Sequence, residues 1–321
     1  MAAAVTRRGP RPSGDSGRNR AEHGGSPRWA AVLVVGIALT LVAAGSVRAQ
    51  EVGILDDVVG RFRVSSFSWI DMMVRQGQAM MRAVVLVEFV TACIWWAVKG
   101  NELSDAAGKF AVKVLLVGMW YSMMFTYELW IPTIYNSLRL IGMNASGQPT
   151  VNPSEILDQG LEVAGAMFAG IYTSGLFING PLSLVGFLAI LLAFLAYVGM
   201  ATRLMQYLIQ GFLSIAVGPF FFGLSGWRST AGFTEKSVMS VIRNGMRLMV
   251  MQLMVTLATL MGGEMAGTLR RAGPLGLTEV LTVMGIAIAL LVIVWQVPEN
   301  FANEHTQGVD LGIASGIRAT T

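Results

Sequence analysis

Residues that build catalytic and metal sites are scarce in this 321-residue chain. Its one cysteine, Cys93, excludes an intramolecular disulfide. The two histidines, His23 and His305, lie near opposite ends of the sequence, which argues against haem pairs, His-rich zinc sites and Ser-His-Asp triads. The sequence also lacks a GxxxxGK[ST] phosphate loop. We therefore expect no cofactor and no enzymatic activity.

Charge is also scarce. Only 13% of the residues are charged, against about 25% in soluble domains, while 54% are hydrophobic and the mean hydropathy is +0.60. The formal net charge of +4 does not indicate a nucleic-acid binder, because residues 1–49 alone carry seven Arg against two acids. The remaining sixteen Lys and Arg face seventeen acids, so the rest of the chain is nearly neutral.

Residues 1–49 resemble a signal peptide. An Arg-rich stretch precedes an apolar core at 29–44, and Ala49 ends a Val-Arg-Ala tripeptide suited to signal peptidase. The alternative is an uncleaved first transmembrane helix, although the apolar core is shorter than the ~20 residues that a span needs. Both interpretations place the chain on the export route.

The remainder predicts an all-α, polytopic helical membrane protein. Residues 50–78 have apolar side chains at helical spacing among charges, which predicts an amphipathic periplasmic helix. Residues 79–298 form the transmembrane domain, and 299–321 a short cytoplasmic tail. We expect about seven transmembrane helices, within a range of five to seven. The predicted spans are 80–98, 111–131, 161–178, 182–202, 204–225, 248–262 and 279–297.

Proline and glycine predict where these helices end or bend. Pro132 and Pro298 are expected to end two helices. The run from Asn152 to Glu155 is typical of a helix start, with Asn at the cap and Pro at the first position. Gly218 and Pro219 lie inside an apolar run, where the missing backbone N–H should kink the helix.

The loop charges predict the orientation of the chain in the membrane. With the mature amino terminus outside and seven crossings, the basic segment after residue 225 and the carboxyl terminus lie in the cytoplasm. This agrees with the positive-inside rule.

Glu88 is the clearest intramembrane polar residue. It lies roughly 12 Å along its helix from the start of the span, near the bilayer midplane, where an unpaired carboxylate is costly. It either lines a translocation path or acts in a proton-linked switch. In the more conservative interpretation, it is protonated or paired with another helix and fixes the register of the bundle.

Two further groups are candidates for contacts with partners. A basic connector comprises Arg228, Lys236, Arg243 and Arg247, and we expect it to bind anionic lipid or an acidic partner unless the charges serve topology alone. Small residues at Gly165, Ala169 and Gly170 suit close helix packing.

The order of these segments resembles the TrbL family of type IV secretion and conjugal transfer systems. The resemblance covers residues 50–312 and includes the 152–156 segment, the Gly-Pro-Phe-Phe-Phe-Gly run at 218–223, the Trp-Arg-Ser-Thr run at 227–230 and Val297-Pro298. It implies a structural subunit of the inner-membrane channel or platform, needed for mating-pair formation and for passage of DNA, protein or both.

The resemblance also implies partners: other inner-membrane and core-complex subunits, and cytoplasmic ATPases that supply the energy. We expect homo-oligomers in contact with membrane lipid, with nucleic acid only as transported cargo. The alternative is a secondary transporter or channel for a small solute, in which Gly218 and Pro219 would mark a broken helix at the substrate site. A membrane-embedded hydrolase is a more distant alternative.

Overall fold

The computed structural model describes residues 53–99, 103–147, 152–174, 180–227 and 229–306. Within these ranges it has no strand, and the predicted all-α class is confirmed. The predicted signal peptide, Arg228 and the tail beyond residue 306 lie outside the described residues. The α-helices are α1 (Ile54–Lys99), α2 (Leu103–Phe125), α3 (Tyr127–Ser146), α4 (Pro153–Thr173), α5 (Gly180–Phe222), α6 (Ala231–Ala272) and α7 (Leu277–Thr306), and a 3-10 helix (Gly223–Gly226) follows α5.

Three helices are much longer than a bilayer core is thick. α1, α5 and α6 have 46, 43 and 42 residues, or about 69, 65 and 63 Å at ~1.5 Å per residue. The hydrocarbon core measures about 30 Å. Each of these helices therefore tilts strongly or continues beyond the membrane.

The described part of the chain has four or five candidate crossings, at or just below the lower end of the predicted range of five to seven. In the described residues, α1, α5, α6 and α7 are long and apolar enough to cross, and the pair α2–α3, bent by 69°, supplies a fifth if it acts as one span. The predicted spans 182–202 and 204–225 form one continuous helix, α5, because Arg203 does not interrupt it. The predicted span 161–178 overlaps α4, which is not among these candidates.

Two predicted helix ends are wrong. Pro132 lies inside α3 and Pro298 lies inside α7, so each of these helices continues past its proline. The break in this region comes earlier, at Thr126 between α2 and α3. There the Trp130 indole N–H donates to the carbonyl of Met123 over 2.9 Å. The side chain thus satisfies a carbonyl at the interrupted end of α2.

The predicted start of α4 is confirmed. Asn152 occupies the cap position in an extended conformation, and Pro153 is the first helical residue. Ser154 and Asp56 join this helix start to that of α1. The backbone N–H of Asp56 donates to Ser154 Oγ over 3.3 Å, and the backbone N–H of Ser154 donates to Asp56 Oδ1 over 3.5 Å.

α5 is the central helix, and the other long helices pack along it. α1 and α7 run parallel to α5, whereas α3, α4 and α6 run antiparallel. For the parallel helices, the neighbouring pairs are Phe67–Phe212 and Gly77–Pro219 between α1 and α5, and Glu299–Arg203 and Leu291–Gly199 between α7 and α5. For the antiparallel helices, they are Tyr127–Ile215 and Tyr135–Gly211 for α3, Gly160–Tyr197 and Ile171–Gly186 for α4, and Thr234–Phe221 and Asn244–Ser214 for α6.

Candidate functional site

A charged cluster joins α5, α6 and α7. Glu299 accepts from two guanidinium groups, Arg203 Nη2 at 3.2 Å and Arg247 Nη2 at 2.5 Å. The side chains of Arg203 and Arg247 are only 12% and 15% exposed, and that of Glu299 is 35% exposed. Because both arginines are largely removed from water, the shared carboxylate is the main group that compensates their buried positive charges.

Stacking and amide contacts complete this cluster. The Arg203 guanidinium lies over the rings of both Tyr207 and Trp295, with Cζ 4.8 and 4.5 Å from their centroids, a favourable arrangement for a cation. Arg247 also donates to Asn303 Oδ1 over 3.2 Å. The cluster therefore fixes the position of α7 against α5 and α6.

The basic connector divides into two parts. Arg243 donates through Nε to the Thr306 hydroxyl of α7 over 2.8 Å, and Arg247 belongs to the charged cluster. Lys236 is exposed and lies beside an open groove of about 380 Å³ between α5 and α6. Within the described residues, Lys236 is thus the member of the connector that faces outward.

Glu88 pairs with α2. Its Oε1 lies 2.7 Å from Lys113 Nζ, and both side chains are at least 85% buried. An ion pair of this kind compensates two charges that an apolar environment would penalise singly. The pair joins two helices and has the arrangement that the register interpretation describes.

Gly218 and Pro219 lie in the last turn and a half of α5. Pro219 has no N–H to donate to the carbonyl of Ile215, one helical turn earlier. The Tyr127 hydroxyl donates to that carbonyl over 2.9 Å. A Cβ at position 218 would overlap this hydroxyl, so glycine is needed for the contact. The backbone group freed by the proline is therefore satisfied by α3.

The same segment brings α1 close to α5. A Cβ on Gly77 would overlap the Pro219 carbonyl, and a Cβ on Gly223 would lie 2.5 Å from the Gly77 carbonyl. Glycine at both positions allows the two backbones to touch. This close approach has the character of small-residue packing in membrane helices.

The predicted packing residues of α4 face different ways. Gly170 is buried, and a Cβ there would overlap the side chain of Leu275. Gly165 and Ala169 are exposed, and nothing lies within 4 Å of a Cβ at Gly165. Gly170 thus packs within the chain, whereas the other two present an uncovered face.

Like charges meet at the outer edges of α1 and α3. The carboxyl groups of Asp71 and Glu128 lie within hydrogen-bonding reach of each other, and Arg75 Nη1 is 3.6 Å from Asp71 Oδ2. Further along the same two helices, the guanidinium groups of Arg63 and Arg139 lie close enough to interact unfavourably. Within the described residues, the two carboxyl groups of Asp71 and Glu128 have a single cation nearby, Arg75.

Comparison with known proteins gives the family. The model of the TrbL/VirB6 plasmid conjugal transfer protein family matches residues 85–297. The chain belongs to the TrbL/VirB6 family. It is 21% identical over 269 residues to a probable conjugal transfer protein TrbL of Sinorhizobium fredii (strain NBRC 101917 / NGR234), covering 83% of this chain and 67% of the relative. It is 20% identical over 275 residues to a conjugal transfer protein TrbL of Rhizobium radiobacter, covering 85% and 68%.

Family membership and the apolar helices together identify a multi-pass membrane protein of the conjugal transfer class. The family match includes Arg203 and Arg247 of the charged cluster and ends two residues before Glu299. Sequence reasoning missed Arg203 and Glu299 as a pair. The available signal was a single arginine inside a long apolar stretch, which in a membrane protein requires a partner.

The described residues of this TrbL/VirB6 chain contain no group of three His, Cys, Asp or Glu side chains arranged to hold a metal ion. Cys93 is exposed and carries no disulfide. The polar residues that the structure does bring together form contacts between helices.

Proposed function

We propose that this TrbL/VirB6 chain is a structural, non-catalytic subunit of the inner-membrane channel or platform of a type IV secretion system. It would support mating-pair formation and the passage of DNA, protein or both. Its partners would be other inner-membrane and core-complex subunits, cytoplasmic ATPases, membrane lipid and further copies of itself. Nucleic acid would be cargo, and no cofactor is required.

The contact between Tyr127 and the carbonyl of Ile215 carries this proposal over the solute-transporter alternative. A transporter of the broken-helix type presents free backbone groups to its substrate. Here the carbonyl that Pro219 frees accepts from a buried tyrosine of another helix. An inward-facing backbone group that is already satisfied favours a packing role for this proline.

The decisive experiment separates transfer from uptake. An in-frame deletion in a donor strain should abolish conjugal transfer, and the gene supplied in trans should restore it. Uptake of small solutes should be the same in both strains. Normal transfer together with lost uptake would reject the structural role and favour the transporter.

The proposed orientation places the mature amino terminus in the periplasm and the carboxyl terminus in the cytoplasm. Opposite sides require an odd number of crossings, and we therefore count the four long helices and take the bent pair α2–α3 as one further span. In a Cys93→Ser background, Thr278→Cys, exposed at the start of α7 and about 33 Å along that helix from Asn300, should react with a membrane-impermeant maleimide added to spheroplasts. Asn300→Cys should react only after permeabilisation. Labelling of both from outside would contradict this orientation.

A further inference from the structure

α5 has one uncovered side in the segment 211–223. At about 100° per residue, its contacts with α3, α1 and α6 occupy three sides. These contacts are made by Gly211 and Gly218 with α3, by Phe212 and Pro219 with α1, and by Ser214 and Phe221 with α6. Leu213 and Phe220 lie on the fourth side and are 47% and 38% exposed.

This side forms the wall of the groove between α5 and α6. Leu213, Val217 and Phe221 line it from α5, and Phe233 and Lys236 line it from α6. The groove is apolar except for hydroxyl groups and the ammonium of Lys236, which has no ion-pair partner in the described residues. It suits an apolar side chain accompanied by a carboxylate.

The surroundings of the groove favour protein as its occupant. α1 runs parallel to α5, and the residues of α1 at this height include the exposed ion pair Asp71–Arg75. Such charges are unfavourable in hydrocarbon. Water is equally unsuitable for Leu213 and Phe233, both more than 45% exposed. A protein surface with complementary charge would accommodate both the charged residues and the exposed apolar side chains.

Such a surface exists on the side of the same chain formed by α1 and α3. The carboxyl groups of Asp71 and Glu128 lie within hydrogen-bonding reach of each other there, with Arg75 as their nearby cation. Leu129, the next residue, is 74% exposed. This edge offers an apolar side chain beside surplus negative charge, which complements the groove and Lys236.

The two surfaces also lie at the same height along α5. Lys236 is two residues beyond Thr234, which bonds the carbonyl of Phe221. Glu128 follows Tyr127, which bonds the carbonyl of Ile215. These two reference points are six residues apart on α5, or about 9 Å, a distance that a lysine and a glutamate side chain can bridge together. Copies inserted in the same orientation would therefore present Lys236 opposite the carboxyl pair.

We propose that the groove binds a second copy of this chain: Lys236 of one copy pairs with Asp71 and Glu128 of the next, and Leu129 enters the groove. The contact is heterologous, so each copy uses both surfaces and repetition closes a ring if the rotation permits. This inference rests on the proposed function, which includes several copies, and it names their interface.

Cysteine cross-linking tests the interface in donor-cell membranes that contain the complete secretion system. In a Cys93→Ser background that still supports transfer, Lys236→Cys with Glu128→Cys should give an oxidant-dependent ladder of dimers and larger species. The matched control pairs Lys236→Cys with Leu140→Cys. Leu140 is exposed on the same helix as Glu128 but lies about 18 Å further along, so this pair should remain monomeric.

Three results would overturn the interface. One is a monomer alone from the Lys236–Glu128 pair. Another is an equal ladder from the Leu140 control. The third is a dimer from Lys236→Cys alone, which would place two grooves face to face. If the cysteine-free variant transfers normally while the ladder is absent, the interface fails and the proposed function stands. Unimpaired transfer in the deletion strain rejects the function itself.

Charge reversal provides an independent measurement. Lys236→Glu should lower the transfer frequency by about tenfold, because three acids would then meet at the interface. Adding Glu128→Lys should restore transfer. If the two single variants and the double variant transfer equally well, the pairing is wrong.

Discussion

Glu299→Gln tests whether the charged cluster holds α7 in place. The substitution keeps the shape of the side chain and removes the charge shared by Arg203 and Arg247, which lie 3.2 and 2.5 Å from its carboxylate. Removing one partner of a buried ion pair costs about 3–5 kcal/mol. Because Glu299 is 35% exposed, water screens part of this loss, and we expect about 2–3 kcal/mol.

The assay is thermal unfolding of the detergent-solubilised protein, followed by intrinsic tryptophan fluorescence. For a chain of this length, a loss of that size corresponds to a decrease in Tm of roughly 3–5 °C. Glu304→Gln is the matched control, since Glu304 is exposed on the same helix and makes no ion pair in the described residues. Equal melting temperatures for the two variants would refute the reasoning that the cluster stabilises the bundle.

Three further substitutions test separate contacts by the same assay. Tyr127→Phe should destabilise the folded protein by about 1–2 kcal/mol. The loss should be smaller in a Pro219→Ala background, where alanine supplies the missing N–H, and equal losses in the two backgrounds would contradict the contact. Gly77→Ala should lower Tm because its Cβ overlaps the Pro219 carbonyl, whereas Gly60→Ala, in open space, should raise stability by about 0.5–1 kcal/mol; equal effects would argue against the close approach. Burial, and then neighbouring acids, raise the pKa of Asp158, so the folded state loses stability as the pH rises through that pKa. The Asp158→Asn variant should therefore have a higher Tm than the unchanged protein at pH 7 and the same Tm below the ordinary pKa range of Asp. A difference in Tm that does not change with pH would contradict this.

The helical class and the start of α4 were predictable because they depend on local information. Apolar composition indicates membrane helices, and Asn152 with Pro153 forms a cap within four residues of sequence. The family was also predictable, because the resemblance read from segment order and loop character agrees with the family match over residues 85–297, although the two relatives are only 20–21% identical.

The continuity of α5 was not predictable from local sequence. An arginine between two apolar runs predicts a loop unless its partner is known, and the partner of Arg203 is 96 residues away. Pro132 and Pro298 were misread for a related reason. Proline removes one hydrogen bond, and whether the helix continues depends on packing that the sequence does not specify.

The candidate contacts show the same division. Glu88 was identifiable as a polar residue within an apolar helix, but Lys113 as its partner required the fold. Tyr127 gave no signal, because an unremarkable tyrosine acquires its role only when α3 crosses α5 opposite Pro219.

The lengths of α1, α5 and α6 have a practical consequence for electron microscopy. A detergent micelle encloses a belt of about 30 Å around apolar helices, so a rod of more than 60 Å that stands upright protrudes from it. Small membrane proteins usually vanish into the micelle and give particles that are difficult to align. If the long helices stand upright, the protruding rods supply an asymmetric landmark, and the chain is then a tractable imaging target without an antibody fragment.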